Sequence, residues 1–332
     1  MIFALSFLPS LFVACCLPSS QMPHSHHSHS GQFCKHAVGS LEEVVLEAIR
    51  QGFAVYGLTE HVPRYRTVDL YPEEASLSPE ELVTQFHNFL IEAHRLKLLY
   101  APRIRLLVGL ETDYITPVDL DQLQELLERH RGRVDYLVGS VHHVNTIPID
   151  FDLATFQKAV ESIDCTVEHT TKDGAFLSAY FDAQYELLQR FHPEVIGHFD
   201  LCRLYNPSLQ ISKCPEAWER AERNIVFAIT YGALFEVNAS ALRKNWSTPY
   251  PGEDVLQLIL RHGGRLALSD DSHGPHAVGL NYGRLPEYLQ RAGVNELWFL
   301  EHSETPNEAG RNIRATKMDQ PWATHSFWAH FL

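Results

Sequence analysis

From Ser40 onward the chain alternates between stretches with apolar residues every three or four positions and short, continuous apolar runs. Leu41, Val44, Val45, Ala48 and Ile49 share one face of a predicted helix. Ser40 and Glu43 before them have the spacing of a reciprocal N-terminal cap, and Gly52 ends the segment. Phe53 to Leu58 then reads as a buried strand that stops at Thr59-Glu60-His61. The same grammar predicts a helix over 82–99, a strand from Ile104 to Leu110, and then Glu111. A helix over 119–130 and a strand from Val134 to Val138 lead into Gly139-Ser140-Val141-His142. Helices over 178–191, 216–231 and 253–262 precede the runs Val195-Ile196-Gly197, Leu234 to Val237 and Arg265 to Leu268. Those runs lead into His198, Asn238 and the group Asp270, Asp271 and His273. A last apolar run, Leu297 to Leu300, follows a helix near 284–292.

Helix–strand alternation of this kind points to a parallel sheet, either open or closed into a barrel. The polar residues choose between them. An open sheet gathers its site at one switch point, whereas a barrel brings the C-terminal ends of all its strands to one mouth. Strand after strand here ends in His, Glu or Asp, so the expected fold is a TIM-like α/β barrel. The stretch 143–171 breaks the rhythm and reads as a lid or substrate loop, or else as a surface excursion with its own helix from Leu153 to Ile163.

Composition adds limits. The 332 residues are 45% hydrophobic and 20% charged, enough for one large barrel and unlike a disordered chain. The formal net charge of −14 disfavours nucleic acid as a partner, although local cations could still hold a small anion. Six cysteines, at 15, 16, 34, 165, 202 and 214, form no CxxC pair and suit free thiols in the cytoplasm. Residues 1–21 begin with an uncharged apolar run that is short and interrupted by proline, unlike a membrane span. The preferred reading sets 1–21 outside the fold, ahead of a start at Met22, with a secretory signal as the alternative. Residues 22–332 then form one domain.

Twenty histidines supply the chemistry. Candidate metal ligands are His27, His29 and His36 near the first strand, then His61, Glu111, His142, His198, Asp271 and His273. His27-x-His29 and Asp271-x-His273 each place two side chains on the same face of an extended segment. Imidazole mixed with carboxylate suits Zn, Mn or Fe. So many ligands suit a cluster, with a carboxylate such as Glu111 bridging ions. His24-x-His26 has the same spacing as His27-x-His29 but opposite parity, so only one of the two pairs can face the site.

The stretches HSHSGQFCKHA (27–37), GLTEHVPR (57–64), VGLETDYI (108–115), GSVHHV (139–144), IGHFDLCR (196–203), FEVNASALRK (235–244) and SDDSHGPHAVG (269–279) resemble the polymerase-and-histidinol-phosphatase (PHP) family, in family order and over most of the chain from Met22. Within it, the likeness is to the histidinol-phosphatase branch of fungal and Bacillus-like type. The resemblance implies a distorted (β/α)7 barrel and selects His27/His29. It also implies three divalent ions. One would be held by His27, His29, Glu111 and Asp271, a second by Glu111, His142 and His198, and a third by His36, His61 and His273. The first motif has one more residue between His29 and His36 than bacterial relatives show. His143, Asp270 and Glu60 are expected to support ligands rather than to bind metal.

The implied reaction is hydrolysis of a phosphate monoester, L-histidinol phosphate in histidine biosynthesis, with Glu111, Asp271 and His273 as catalytic groups. Metal-activated water would attack phosphorus, and Asp271 or a nearby histidine would supply the leaving-group proton. Arg203, Arg243, Lys244 and His276 are the expected substrate contacts, since guanidinium matches phosphate oxygens. His276, Asp150 and Asp152 are candidates for the amino or imidazole end of the substrate. Two alternatives stay open: another PHP phosphoesterase, general or nuclease-like, and an inactive metal-binding barrel.

Overall fold

The computed structural model describes residues 23–164, 171–244 and 246–331; the expectations about 1–21, Cys15, Cys16 and Cys165 lie outside them. Seven strands form one parallel sheet: β1 (His24–Ser25), β2 (Val55–Leu58), β3 (Arg105–Glu111), β4 (Tyr136–Gly139), β5 (Val195–Ile196), β6 (Leu234–Asn238) and β7 (Arg265–Ser269), hydrogen-bonded in that order. Helices alternate with them. The first, Leu41–Arg50, carries the expected cap: Glu43 N–H donates to Ser40 Oγ at 3.2 Å, and Ser40 N–H returns to Glu43 Oε2 at 2.6 Å. Its apolar face, Leu41, Val44, Val45 and Ala48, is fully buried against the barrel core.

Most boundaries differ from the sequence reading by a few residues. The helix predicted over 82–99 begins at Pro79, because Ser78 and Glu81 form a second capping box. The helix predicted over 178–191 begins at Lys172, where the Thr171 hydroxyl accepts from Gly174 N–H. In the 143–171 excursion, a two-stranded hairpin (His143–Val144 with Ile147–Pro148) is followed by a helix, Leu153–Glu161.

The last apolar run, Leu297–Leu300, lies outside the seven-stranded barrel sheet. Trp298–His302 pairs antiparallel with Ile313–Lys317 in a separate ribbon.

That ribbon lies near β7, at the seam between the first and last strands. β1 and β7 share no backbone ladder. Imidazoles take over part of that role. His24 Nε2 accepts Leu268 N–H at 2.9 Å, and His26 Nε2 accepts Leu300 N–H at 3.0 Å. Toward the mouth the seam closes directly, since Ser28–His29 pairs in parallel with Ser272–His273. Asp270, expected beside the metal ligands, instead fastens this seam. It accepts from Ser25 Oγ at 2.9 Å, Tyr56 OH at 3.0 Å and Gly279 N–H at 2.8 Å. Inside the barrel, Tyr136 OH donates to His26 C=O at 2.8 Å, and a Cβ at Gly57 would lie 1.9 Å from that hydroxyl, so the ring needs a glycine there.

Candidate metal centre

The mouth gathers ligand atoms from strand ends that are far apart in sequence. β3 extends one residue further than predicted, so Glu111 is its last residue and is 1% exposed. Five imidazoles surround its carboxylate. Oε1 lies 3.2 Å from His27 Nε2, 3.2 Å from His142 Nε2 and 2.9 Å from His198 Nε2. Oε2 lies 3.3 Å from His29 Nε2 and 2.8 Å from His61 Nδ1. One oxygen per group of imidazoles is the arrangement of a carboxylate able to bridge two cations.

Asp271 completes that side. Its Oδ1 lies 3.8 Å from His27 Nε2, 3.7 Å from His29 Nε2 and 3.5 Å from His273 Nδ1. It adopts φ 48°, a region non-glycine residues seldom occupy, and Ser240 Oγ (3.0 Å) and Asn238 Nδ2 (3.3 Å) donate to its other oxygen. His36 stands beside His61 and His273, with ring centroids 5.3 and 5.0 Å away. All nine predicted ligands therefore share one mouth. His27/His29 face Glu111, and His24/His26 turn to the seam, as opposite parity requires.

The donor set fits metal. His27 Nε2 and His29 Nε2 lie 3.1 Å apart, two nitrogens facing each other with carboxylates around them. His61 Nε2 and His198 Nδ1 are buried without a hydrogen-bond partner. Such convergence needs a cation, since unpaired buried polar atoms are costly. Without metal, protons must serve. Burial alone would lower His27, yet Glu111, Asp271 and Glu236 outweigh it and raise its pKa well above the usual imidazole value. Burial would raise Glu111, but His27, His142 and His61 hold it well below the usual carboxylate range. The groups His27/His29/Glu111, Glu111/His142/His198 and Cys34/His36/His61/His273 each bring donor atoms within 4.8 Å of one another, as do His27/His198/Asp271 and His29/Asp271/His273.

Outside this layer stand carboxylates. Glu60 accepts Ser30 N–H at 2.8 Å and Ser30 Oγ at 2.6 Å, and its other oxygen lies 3.6 Å from His29 Nδ1, beyond hydrogen-bond reach. The sequence reading missed two others. Glu236, mid-strand in β6, lies 3.2 Å from His27 Nδ1 and accepts His198 N–H at 2.5 Å. Asp113 accepts His142 N–H at 3.2 Å and lies 3.0 Å from His143 Nδ1. The available signal was a lone carboxylate inside an apolar strand, FEV, where burial demands a partner.

An open cavity of about 530 Å³ leads to the cluster. His36, His61, His142 and His273 line it, together with Arg243, Lys244 and His276 as predicted, and with Arg64, Tyr71, Glu73, Asp113, Asp150 and Phe151. Arg203 is a correction. It is 3% exposed and does not reach this cavity; its guanidinium is bound to Asp200 (2.5 Å) and Asp254 (2.8 Å), which fasten a loop. Of the two excursion carboxylates only Asp150 lines the cavity, since Asp152 is exposed and caps the helix Leu153–Glu161 through Thr155 N–H.

The family model described as the PHP domain matches residues 25–240, from β1 through the turn after β6. The chain belongs to the PHP family. Among curated relatives, this PHP chain is 46% identical to a Schizosaccharomyces pombe protein described as a probable histidinol-phosphatase, over 91% of this chain and 96% of the relative. It is 34% identical to the histidinol-phosphatase of Saccharomyces cerevisiae, over 92% and 99%. Two solved structures share its fold. One is a Listeria monocytogenes protein assigned as a histidinol phosphatase, with TM-score 0.62, 21% identity, and coverage of 79% of this chain and 99% of that one. The other is histidinol phosphate phosphatase from Lactococcus lactis, complexed with Zn, L-histidinol and phosphate, with TM-score 0.56, 18% identity, and coverage of 83% and 95%. The barrel is thus the distorted seven-stranded PHP barrel. Among the described residues, no helix is long and apolar enough to cross a membrane.

Proposed function

We infer that this PHP protein is a histidinol-phosphatase, a phosphoric monoester hydrolase that releases phosphate from L-histidinol phosphate in histidine biosynthesis. What carries the reading is the full set of ligand residues around Glu111 in a chain that matches fungal histidinol-phosphatases almost end to end. Three divalent ions, of Zn, Mn or Fe, would be held by His27, His29, Glu111 and Asp271, by Glu111, His142 and His198, and by His36, His61 and His273. When bound, such ions neutralise phosphoryl oxygens and make water acidic enough to attack near neutral pH.

The chain's own groups do the rest. Glu111 and Asp271 supply fixed negative charge that keeps the cations together. Arg243, whose Nη1 lies 3.4 Å from Asp271 C=O, sits with Lys244 and His276 where the phosphate would dock. The neighbouring Asp271 and His273 are placed to move a proton to the leaving oxygen. Asp150 and Glu73, beside the stacked rings of Tyr71 and Phe151 (centroids 6.0 Å apart), suit the cationic, imidazole-bearing end of the substrate. The net charge of −14 favours a small ester over a polyanion. Free Cys34, Cys202 and Cys214 suit a cytoplasmic setting, and residues 22–332 serve as one catalytic domain with 143–171 as its lid.

The test is phosphate release from histidinol phosphate, from an aryl phosphate and from single-stranded DNA, each with and without chelator. Histidinol phosphate should be preferred, and chelation should abolish turnover. Equal rates on the aryl ester would replace this reading with a general phosphomonoesterase. Bound metal without turnover would mark an inactive barrel.

A further inference from the structure

The loop after His29 brings a sulfur to the place where three imidazoles meet. Cys34 N–H donates to Ser30 C=O at 2.9 Å, and Ala37 N–H donates to Cys34 C=O at 3.2 Å. The backbone therefore doubles back and sets the buried Cys34 beside His36, which stays exposed at the rim. Sγ lies 3.2 Å from His36 Nε2, and Cys34, His36, His61 and His273 each offer a donor atom within 4.8 Å of the others. Cys34 is 6% exposed, and His61 Nε2 beside it is buried with no hydrogen-bond partner. Sulfur and nitrogen ligands of one tetrahedral zinc, at ~2.3 and ~2.0 Å from the metal, stand about 3.5 Å apart. The observed S···N separation is close to that. A plain thiol–imidazole hydrogen bond accounts for that contact alone. It leaves His61 Nε2 and the approach of His273 without a reason.

We propose that Cys34 is the fourth protein donor of the ion held by His36, His61 and His273, binding it as a thiolate. The proposal rests on reading that cluster as a metal site. On binding, the S–H proton leaves to solvent and a sulfur lone pair forms the S–metal bond, with no change of oxidation state. A thiolate makes this position softer than the carboxylate-rich remainder of the mouth, so it selects Zn, Co or Fe over Mn.

The full-length protein loaded with cobalt tests this. The wild type shows a near-ultraviolet sulfur-to-cobalt charge-transfer band, and Cys34→Ser loses it while keeping the visible bands of cobalt bound by nitrogen and oxygen. In dialysis against chelator, Cys34→Ser loses one zinc at least tenfold faster than the wild type, with manganese retention unchanged. Among the described residues, Cys202 and Cys214 belong to no metal-ligand group, and with Cys15, Cys16 and Cys165 outside them it is the loss of the band in Cys34→Ser that assigns it to Cys34. Bound cobalt without the band overturns the thiolate and leaves the metal centre standing. A band that survives in Cys34→Ser overturns it too. Failure to bind cobalt at all removes both readings. Should Cys34→Ser not fold, the protein with Cys15, Cys16 and Cys165 replaced by serine must keep the band, and its loss there overturns the proposal.

Discussion

Glu236 touches no expected ion, yet it governs one. Its carboxylate faces His27 Nδ1 at 3.2 Å, so that nitrogen keeps its proton and Nε2 is the nitrogen left for an ion. Glu236→Gln should weaken metal binding about 10–100-fold, with the fold intact, as chelator competition can measure. The two arginines of the FDLCR and SALRK stretches divide by environment. Arg203→Ala leaves the buried Asp200 and the partly buried Asp254 without their cation, so denaturant unfolding should show a loss on the order of 3–5 kcal/mol. Arg243→Ala should leave that midpoint nearly unchanged and raise KM or lower kcat for histidinol phosphate. If the two variants behave alike, their assignments fail. In sequence both arginines follow a strand that ends at the mouth. Only their carboxylate partners, 3 and 51 residues away for Arg203, separate the roles.

Among the elements, the first strand carries the most information. HSHHSH encodes two parities at once: His24 and His26 face the seam, and His27 and His29 face Glu111. The sequence showed that both pairs could not face the site. It could not show what the other pair does, because that answer lies on Leu268 and Leu300, more than two hundred residues away. His26→Phe keeps an aromatic ring but strands Leu300 N–H, which should cost about 1–3 kcal/mol in unfolding free energy while metal content is kept. A loss of metal instead would place His26 in the site. The ribbon formed by the last apolar run was hard to foresee. A short apolar run reads alike in a barrel and in a hairpin, and its partner, IRATK, is largely polar. Capped helices were easier, since Ser40–Glu43 and Ser78–Glu81 satisfy their end groups locally.

At the scale of the molecule, the mouth is a store of opposed charge that either protons or metals can neutralise. In the metal-free protein burial would lower His29, but Glu111 and Glu60 raise it to about 9, above the ordinary 6.5 it has when unfolded. Its proton therefore stabilises the metal-free fold below pH 6.5, and that contribution is lost as pH rises through about 9. Thermal unfolding of the stripped protein should show the decline, and the zinc-loaded protein should not. Below pH 9 a metal must also displace that proton, so zinc affinity should weaken about tenfold per pH unit for each proton released, as chelator competition between pH 6.5 and 9 would show. A flat pH profile would contradict this account. The sequence alone determined the alternation of helix and strand and the candidate ligands at the strand ends, with the family resemblance choosing His27/His29 over His24/His26. The first two depend on periodicity and on the cost of burying polar groups at strand ends, both of which are local. Tertiary structure decided how the barrel closes, which arginine meets the cavity, and that Glu236, Asp113 and Cys34 stand beside the candidate ligands. Each of those depends on atoms from separate strands arriving within a few ångströms, a distance that spacing along one chain does not record.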